Sequence, residues 1–180
     1  MFREQKTTQM VASFLKLGNG KINYLLLMKM LYVADRTMLL QSGNTISHDG
    51  WCSMKYGPVL STTLNLMRGK AEGGIWSKHL KTEDYDLLLI DDPGDDELSV
   101  AEDKVIASTY AEWGHLAPFE AARRTHDPKE FPEYTEIENG SIPIGIHEVL
   151  RLHGMNGDEI AHVLRDLEYH EKFAMLVGAE

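Results

Sequence analysis

Apolar residues recur along this chain mostly at helical spacing. Val11, Phe14 and Leu15 line one face of a helix predicted over Gln5–Leu17, and Gly18 is expected to end it in a left-handed cap. From Lys21 to Gln41 the apolar positions (Ile22, Leu25, Leu26, Met28, Met30, Leu31, Val33, Met38 and Leu39) cover nearly the whole circumference. A helix that is apolar all round must be buried on several sides, so this one is expected at the centre of the fold. Turn residues in Ser-Gly-Asn and His-Asp-Gly make 42–57 irregular. Gly57-Pro58 is expected to open a third helix reaching Arg68, with Val59, Leu60, Leu64 and Met67 facing inward.

Further along, Ile75–Leu80 and Tyr85–Ile90 read as two short strands around the polar turn Lys81–Asp84. Ser99-Val-Ala-Glu102 matches a capping box and starts a helix ending near Trp113-Gly114. Pro118–Thr125 reads as a shorter helix and Asp127–Gly140 as a loop. Ser141 and Pro143 are placed as cap and first turn of a helix to His153, and 158–177 forms the last helix on Ile160, Val163, Leu164 and Leu167. The expectation is a mainly α protein, a compact helical domain of about six to seven helices with a small β-hairpin insert. It forms one domain over 1–180, with a core at 5–153 and a C-terminal helix at 158–177.

Composition narrows the partners. At 180 residues and 43% apolar, the chain buries a core without disulfides or a structural metal. The net charge of −10 repels phosphate backbones and anionic lipid, so nucleic acid is a poor partner and a membrane is not expected. Cys52 is the only cysteine, which excludes an internal disulfide and a thiolate zinc cluster. The N-terminus lacks an apolar run, and the longest apolar stretch, Leu25–Ala34, is interrupted by Lys29; the cytoplasm is the expected location.

Three segments bring a family into view. The first is Leu26-Leu-Met-Lys29-Met-Leu-Tyr32-Val-Ala-Asp35-Arg36, followed by Leu39 and Gly43; the second is Met54-Lys-Tyr56-Gly-Pro-Val59. The third is the later order: a capped helix, Leu116-Ala-Pro, Thr125-His126, and Gly140-Ser-Ile-Pro143. In these the chain resembles the Panacea antitoxin domain family, over roughly Gln5 to His153. The resemblance implies a mainly helical antitoxin of a toxin–antitoxin system, encoded beside its toxin gene and in several cases on mobile elements or prophages. Such a protein neutralises the cognate toxin by direct binding. At least one relative acts instead as a proteolytic adaptor that delivers its toxin to a protease. No catalytic motif or cofactor is implied.

Lys29, Tyr32 and Arg36 return to one face of the central helix, with Asp35 beside them. Cations and a phenol on an apolar helix are either a recognition strip for the bound protein or an internal ion-pair network. Trp51 and Tyr56, next to the rigid Gly57-Pro58 turn, either form an exposed anchor or pack on the central helix. Lys29, Tyr32, Asp35, Arg36, Trp51 and Tyr56 are therefore the candidate partner-binding residues. Methionines 28, 30, 38, 54 and 67 suit an adaptable interface or a core.

Other clusters point to a site less strongly. His162, Asp166 and His170 climb one face of the last helix, but a fourth metal ligand is missing, and solvated polar residues are expected there. The acidic run Asp91, Asp92, Asp95, Asp96 and Glu97 lacks the ligand alternation of a calcium loop. Walker, Gly-x-Ser-x-Gly and zinc-protease motifs are missing too, so neither an enzyme nor a metal site is expected. A DNA-binding regulator and a metal-dependent hydrolase remain as lesser alternatives, the first opposed by the charge and the second by the incomplete ligand set.

Overall fold

The computed structural model describes the backbone of residues 2–70 and 74–177, and the side chains of these residues except 170, 171 and 173–177. In chain order the elements are α1 (Glu4–Leu17), β1 (Lys21–Asn23), α2 (Tyr24–Ser42), β2 (Trp51–Met54), β3 (Gly57–Leu60), α3 (Ser61–Met67) and α4 (Trp76–His79). They continue with β4 (Leu80–Glu83), β5 (Asp86–Leu89), α5 (Val100–Trp113), α6 (Pro118–Arg124), β6 (Ile142–Ile144), α7 (Ile146–Leu152) and α8 (Gly157–Val177). Helix dominates, as the periodicity predicts. The β content, however, is two three-stranded antiparallel sheets of order β1-β5-β4 and β3-β2-β6, more than a single hairpin.

The all-round apolar helix is central. Helix α2 contacts α1, α5, α6 and β3, and Leu27, Met30, Leu31, Ala34 and Leu39 are fully buried. Its start differs from the expected one. Residues 21–23 form β1, which pairs with β5, and the Asn23 side chain accepts from the Leu25 amide at 3.0 Å to cap the helix. Gly18 is not the left-handed residue expected after α1: its φ is −89°, while Asn19 and Gly20 take φ of 58° and 84°. Glycine is required at 18 by close approach, since a Cβ there would lie 2.5 Å from Ile22 Cγ1.

Pro58 opens no helix. It lies in β3 opposite Ser53, on an edge strand where its missing N–H costs nothing, and α3 begins at Ser61. Pro143 is likewise in a strand, opposite Cys52, so the helix expected from Ser141 starts at Ile146. The first predicted strand, Ile75–Leu80, is mostly the single turn α4. Glu4 Oε1 accepts from the Ile75 and Trp76 amides at 2.8 Å each and holds that turn, leaving β4 to begin at Leu80. The Ser99–Glu102 capping box is present and starts α5. Helix α8 packs on α7, with Ile160 buried and Val163, Leu164 and Leu167 packed against the core.

Candidate partner-binding site

The polar face of α2 is turned inward. Lys29 is 0% exposed, and its Nζ donates to the Pro58 carbonyl at 2.8 Å. Burial pushes the Lys29 pKa down to about 7. Gly57 makes this approach possible. It has a φ of 95°, and a Cβ there would stand 2.2 Å from Thr125 Oγ1 and 3.1 Å from Lys29 Nζ. The neighbouring His126 stacks on Tyr134 at 4.5 Å, and the Tyr134 hydroxyl donates to the Met54 carbonyl. The α2 lysine, the Tyr-Gly-Pro-Val turn and the Thr-His pair are thus three sides of one contact.

One helical turn later, Tyr32 and Arg36 meet at Glu133. The Tyr32 hydroxyl donates to Glu133 Oε1 at 2.6 Å, and Arg36 Nε lies 2.6 Å from the same oxygen. Burial, reinforced by the Glu133 charge, raises the Tyr32 pKa well above the ordinary phenol value. Arg36 Nη2 also donates to the Glu130 carbonyl at 2.7 Å and lies 2.6 Å from His153 Nε2. Arginine has no acceptor, so His153 Nε2 is the unprotonated acceptor and the ring proton sits on Nδ1. Burial and then the Arg36 charge hold His153 below its usual range, which fits this neutral tautomer.

Asp35 points away from that pair and is fully buried. Its Oδ1 accepts from the Ile46 and Ser47 amides at 2.7 and 2.8 Å, and its Oδ2 from the Ser47 hydroxyl at 2.7 Å and Trp51 Nε1 at 2.9 Å. Burial raises the Asp35 pKa, and the four donors oppose that rise. Trp51 is buried and packs edge-on to Tyr32 at 5.3 Å between centroids.

Tyr56 is the exception among the six candidates. It is 50% exposed and meets Phe119, 61% exposed, in a T-shaped pair with centroids 5.9 Å apart. So Lys29, Tyr32, Asp35, Arg36 and Trp51 are buried, while Tyr56 is half exposed. Of the candidate methionines, 28, 30, 38 and 67 are buried in the core and Met54 is partly buried against it. Cys52 is buried. His162 and Asp166 are exposed and lie 3.4 Å apart; the side chain of His170 is outside the described residues. The acidic run is tied to α1: Lys16 pairs with Asp92 at 2.6 Å, Gln9 donates to Asp96 at 2.7 Å, and Arg3 pairs with Glu97.

Glu133, His153, Ser47 and Phe119 belong to this region but were not singled out from sequence. Glu133 sits in the predicted loop and His153 at the end of a predicted helix, 101 and 121 positions from Tyr32, and only the folded chain brings them to α2. Phe119 at the start of a short helix carried no signal beyond being apolar. Among the described residues no group of three His, Cys, Asp or Glu side chains is placed to hold a metal ion, and no helix is long and apolar enough to cross a membrane.

Comparison with known proteins adds one finding. The family model described as "Antitoxin SocA-like, Panacea domain" matches residues 27–131, more than half of the chain. The matched span runs from α2 through the Tyr-Gly-Pro-Val turn to Phe131 and contains all six candidate residues. No curated protein and no solved structure matches the chain.

Proposed function

The chain belongs to the SocA-like, Panacea-domain antitoxin family, and from that membership we propose that it neutralises a cognate toxin protein by binding it directly. The family match carries the reading. The toxin is expected from the adjacent gene, and the encounter takes place in the cytoplasm. The mechanism is occlusion, in which a preformed surface covers the part of the toxin that acts on its target.

Tyr56 and Phe119 are the anchors of that surface. Exposed aromatic rings that support one another on a rigid turn lose little entropy on binding and make strong hot spots. Lys29, Tyr32, Asp35, Arg36 and Trp51 act from inside. Lys29 fixes the turn that carries Tyr56, and the other four pin α2 to the 45–51 segment, the 130–133 loop and the end of α7.

The test is co-expression with the adjacent reading frame under an inducible promoter. Rescue of growth with a stable copurifying complex is the expected result. Tyr56→Ala combined with Phe119→Ala should weaken the complex by roughly 10- to 1,000-fold and abolish rescue, while the thermal midpoint stays close to wild type. Full rescue by that variant would remove the two rings as anchors. Rescue accompanied by disappearance of the toxin protein would assign delivery to a protease instead of occlusion. A harmless neighbour and no complex would defeat the antitoxin reading itself.

A further inference from the structure

We propose that a second surface, the groove between the end of α3 and β4, captures a short acidic segment bearing apolar side chains from a partner protein. The groove encloses about 1420 Å³. Tyr24 and Ile90 contribute apolar surface over the buried Met67, and Arg68, Lys70 and Lys81 contribute the cations. Ile90 is 54% exposed, a large aliphatic side chain left to solvent beside the groove.

Charge selects the occupant. Among the described lining residues the only acid is Asp84, against Arg68, Lys70 and Lys81, on a chain whose net charge is −10. Lys81 is paired with Glu83 at 2.6 Å, whereas Arg68 and Lys70 are exposed and in no ion pair with a described residue. A positive lining around an apolar floor in an acidic molecule is complementary to Asp or Glu flanked by Leu, Phe or Trp. It suits a polyanion poorly, because the body of the protein repels a long phosphate backbone and the floor offers apolar contact instead of a phosphate track.

The partner is read through its side chains. The Thr82 hydroxyl donates to the Met67 carbonyl at 2.8 Å, so the end of α3 already bridges the outer edge of β4, and strand addition there is obstructed. The groove shares no residue with the Tyr56–Phe119 anchor, and the inference does not rest on the antitoxin reading.

A phage-displayed library of random peptides about 12 residues long, panned on the full chain, tests this, with enriched peptides synthesised and titrated by fluorescence anisotropy. The expected winners carry Asp or Glu beside Leu, Phe or Trp. Arg68→Glu with Lys70→Glu should weaken them at least ~10-fold with an unchanged far-UV spectrum, and raising salt from about 50 to about 500 mM should weaken them as well. Ile90→Ser should weaken them roughly threefold or more through lost apolar contact. Tyr56→Ala with Phe119→Ala should leave the affinity as it is, which separates this site from the toxin-binding anchor. The proposal falls if no peptide is enriched, if the winners are neutral or basic, or if the charge-reversed variant binds them equally. It also falls if a single-stranded oligonucleotide of similar length binds as tightly and displaces them.

Discussion

Lys29 places an ammonium where water cannot reach it, with one carbonyl as its hydrogen-bond partner. Its folded pKa of about 7 lies below the value of about 10.4 expected in the unfolded chain. Between those values the unfolded chain holds a proton that the folded chain lacks. Stability therefore rises with pH across this window and is lost as pH falls through about 7, with a slope of at most about 1.4 kcal/mol per pH unit. Urea unfolding at pH 7, 8 and 9 should show this slope in the wild type and a flatter one in Lys29→Met, which keeps an unbranched apolar stem. Equal slopes would mean that Lys29 titrates as an ordinary surface amine. Asp35 is the opposite case, an acid solvated by four donors. In Asp35→Asn one oxygen still serves the two backbone amides, but the new NH₂ faces the Trp51 N–H. Leaving that donor unsatisfied should cost roughly 2–4 kcal/mol, measurable as a lower urea midpoint at unchanged m-value.

At the scale of elements, two glycines with similar φ separate conformational cost from crowding. Gly20 has a φ of 84° and nothing near its absent Cβ, while Gly57 has a φ of 95° and Thr125 Oγ1 at 2.2 Å. Gly20→Ala should cost about 1–2 kcal/mol for the left-handed backbone alone. Gly57→Ala adds the collision and should cost roughly 2–5 kcal/mol, since the turn must move off Thr125 and carry the Pro58 carbonyl away from Lys29. Chemical denaturation of the two variants side by side checks the difference. The same elements show what was legible beforehand. The capping box at Ser99 and the burial of α2 depend on residues three and four positions apart, and the sequence displays such spacings directly. Strands β1, β3 and β6 are three or four residues long, too short for alternation to register; β1 and β6 exist because of partners elsewhere in the chain, and β3 folds back on β2 across Lys55 and Tyr56. Pro58 and Pro143 therefore looked like helix starts until their strand neighbours were known. In the candidate site, the polar strip on α2 was visible as a set of residues, but its direction was not. Glu133, 101 positions away, turns it into an internal clamp.

For the whole molecule, the question is whether 180 residues with two small sheets and a peripheral last helix unfold together. Trp51 lies beside Asp35, Trp76 opens α4, and Trp113 ends α5; all three are buried, so fluorescence reports three regions of the core. None of these tryptophans lies on α8, whose 21 residues contribute to far-UV ellipticity. The two signals therefore weigh the core and the last helix differently. Ile160 is buried, and Val163 stands within 4 Å of the position a Cβ on Gly43 would take, at the end of α2. These contacts couple α8 to the central helix, and His153 couples the preceding α7 to Arg36. Urea unfolding followed by tryptophan fluorescence and by circular dichroism should therefore give one midpoint, as a single cooperative unit requires. An ellipticity loss that precedes the fluorescence change would show α8 melting from an intact core. In that case the proposed Tyr56–Phe119 anchor, which lies within residues 27–131, would remain on the part of the chain that stays folded.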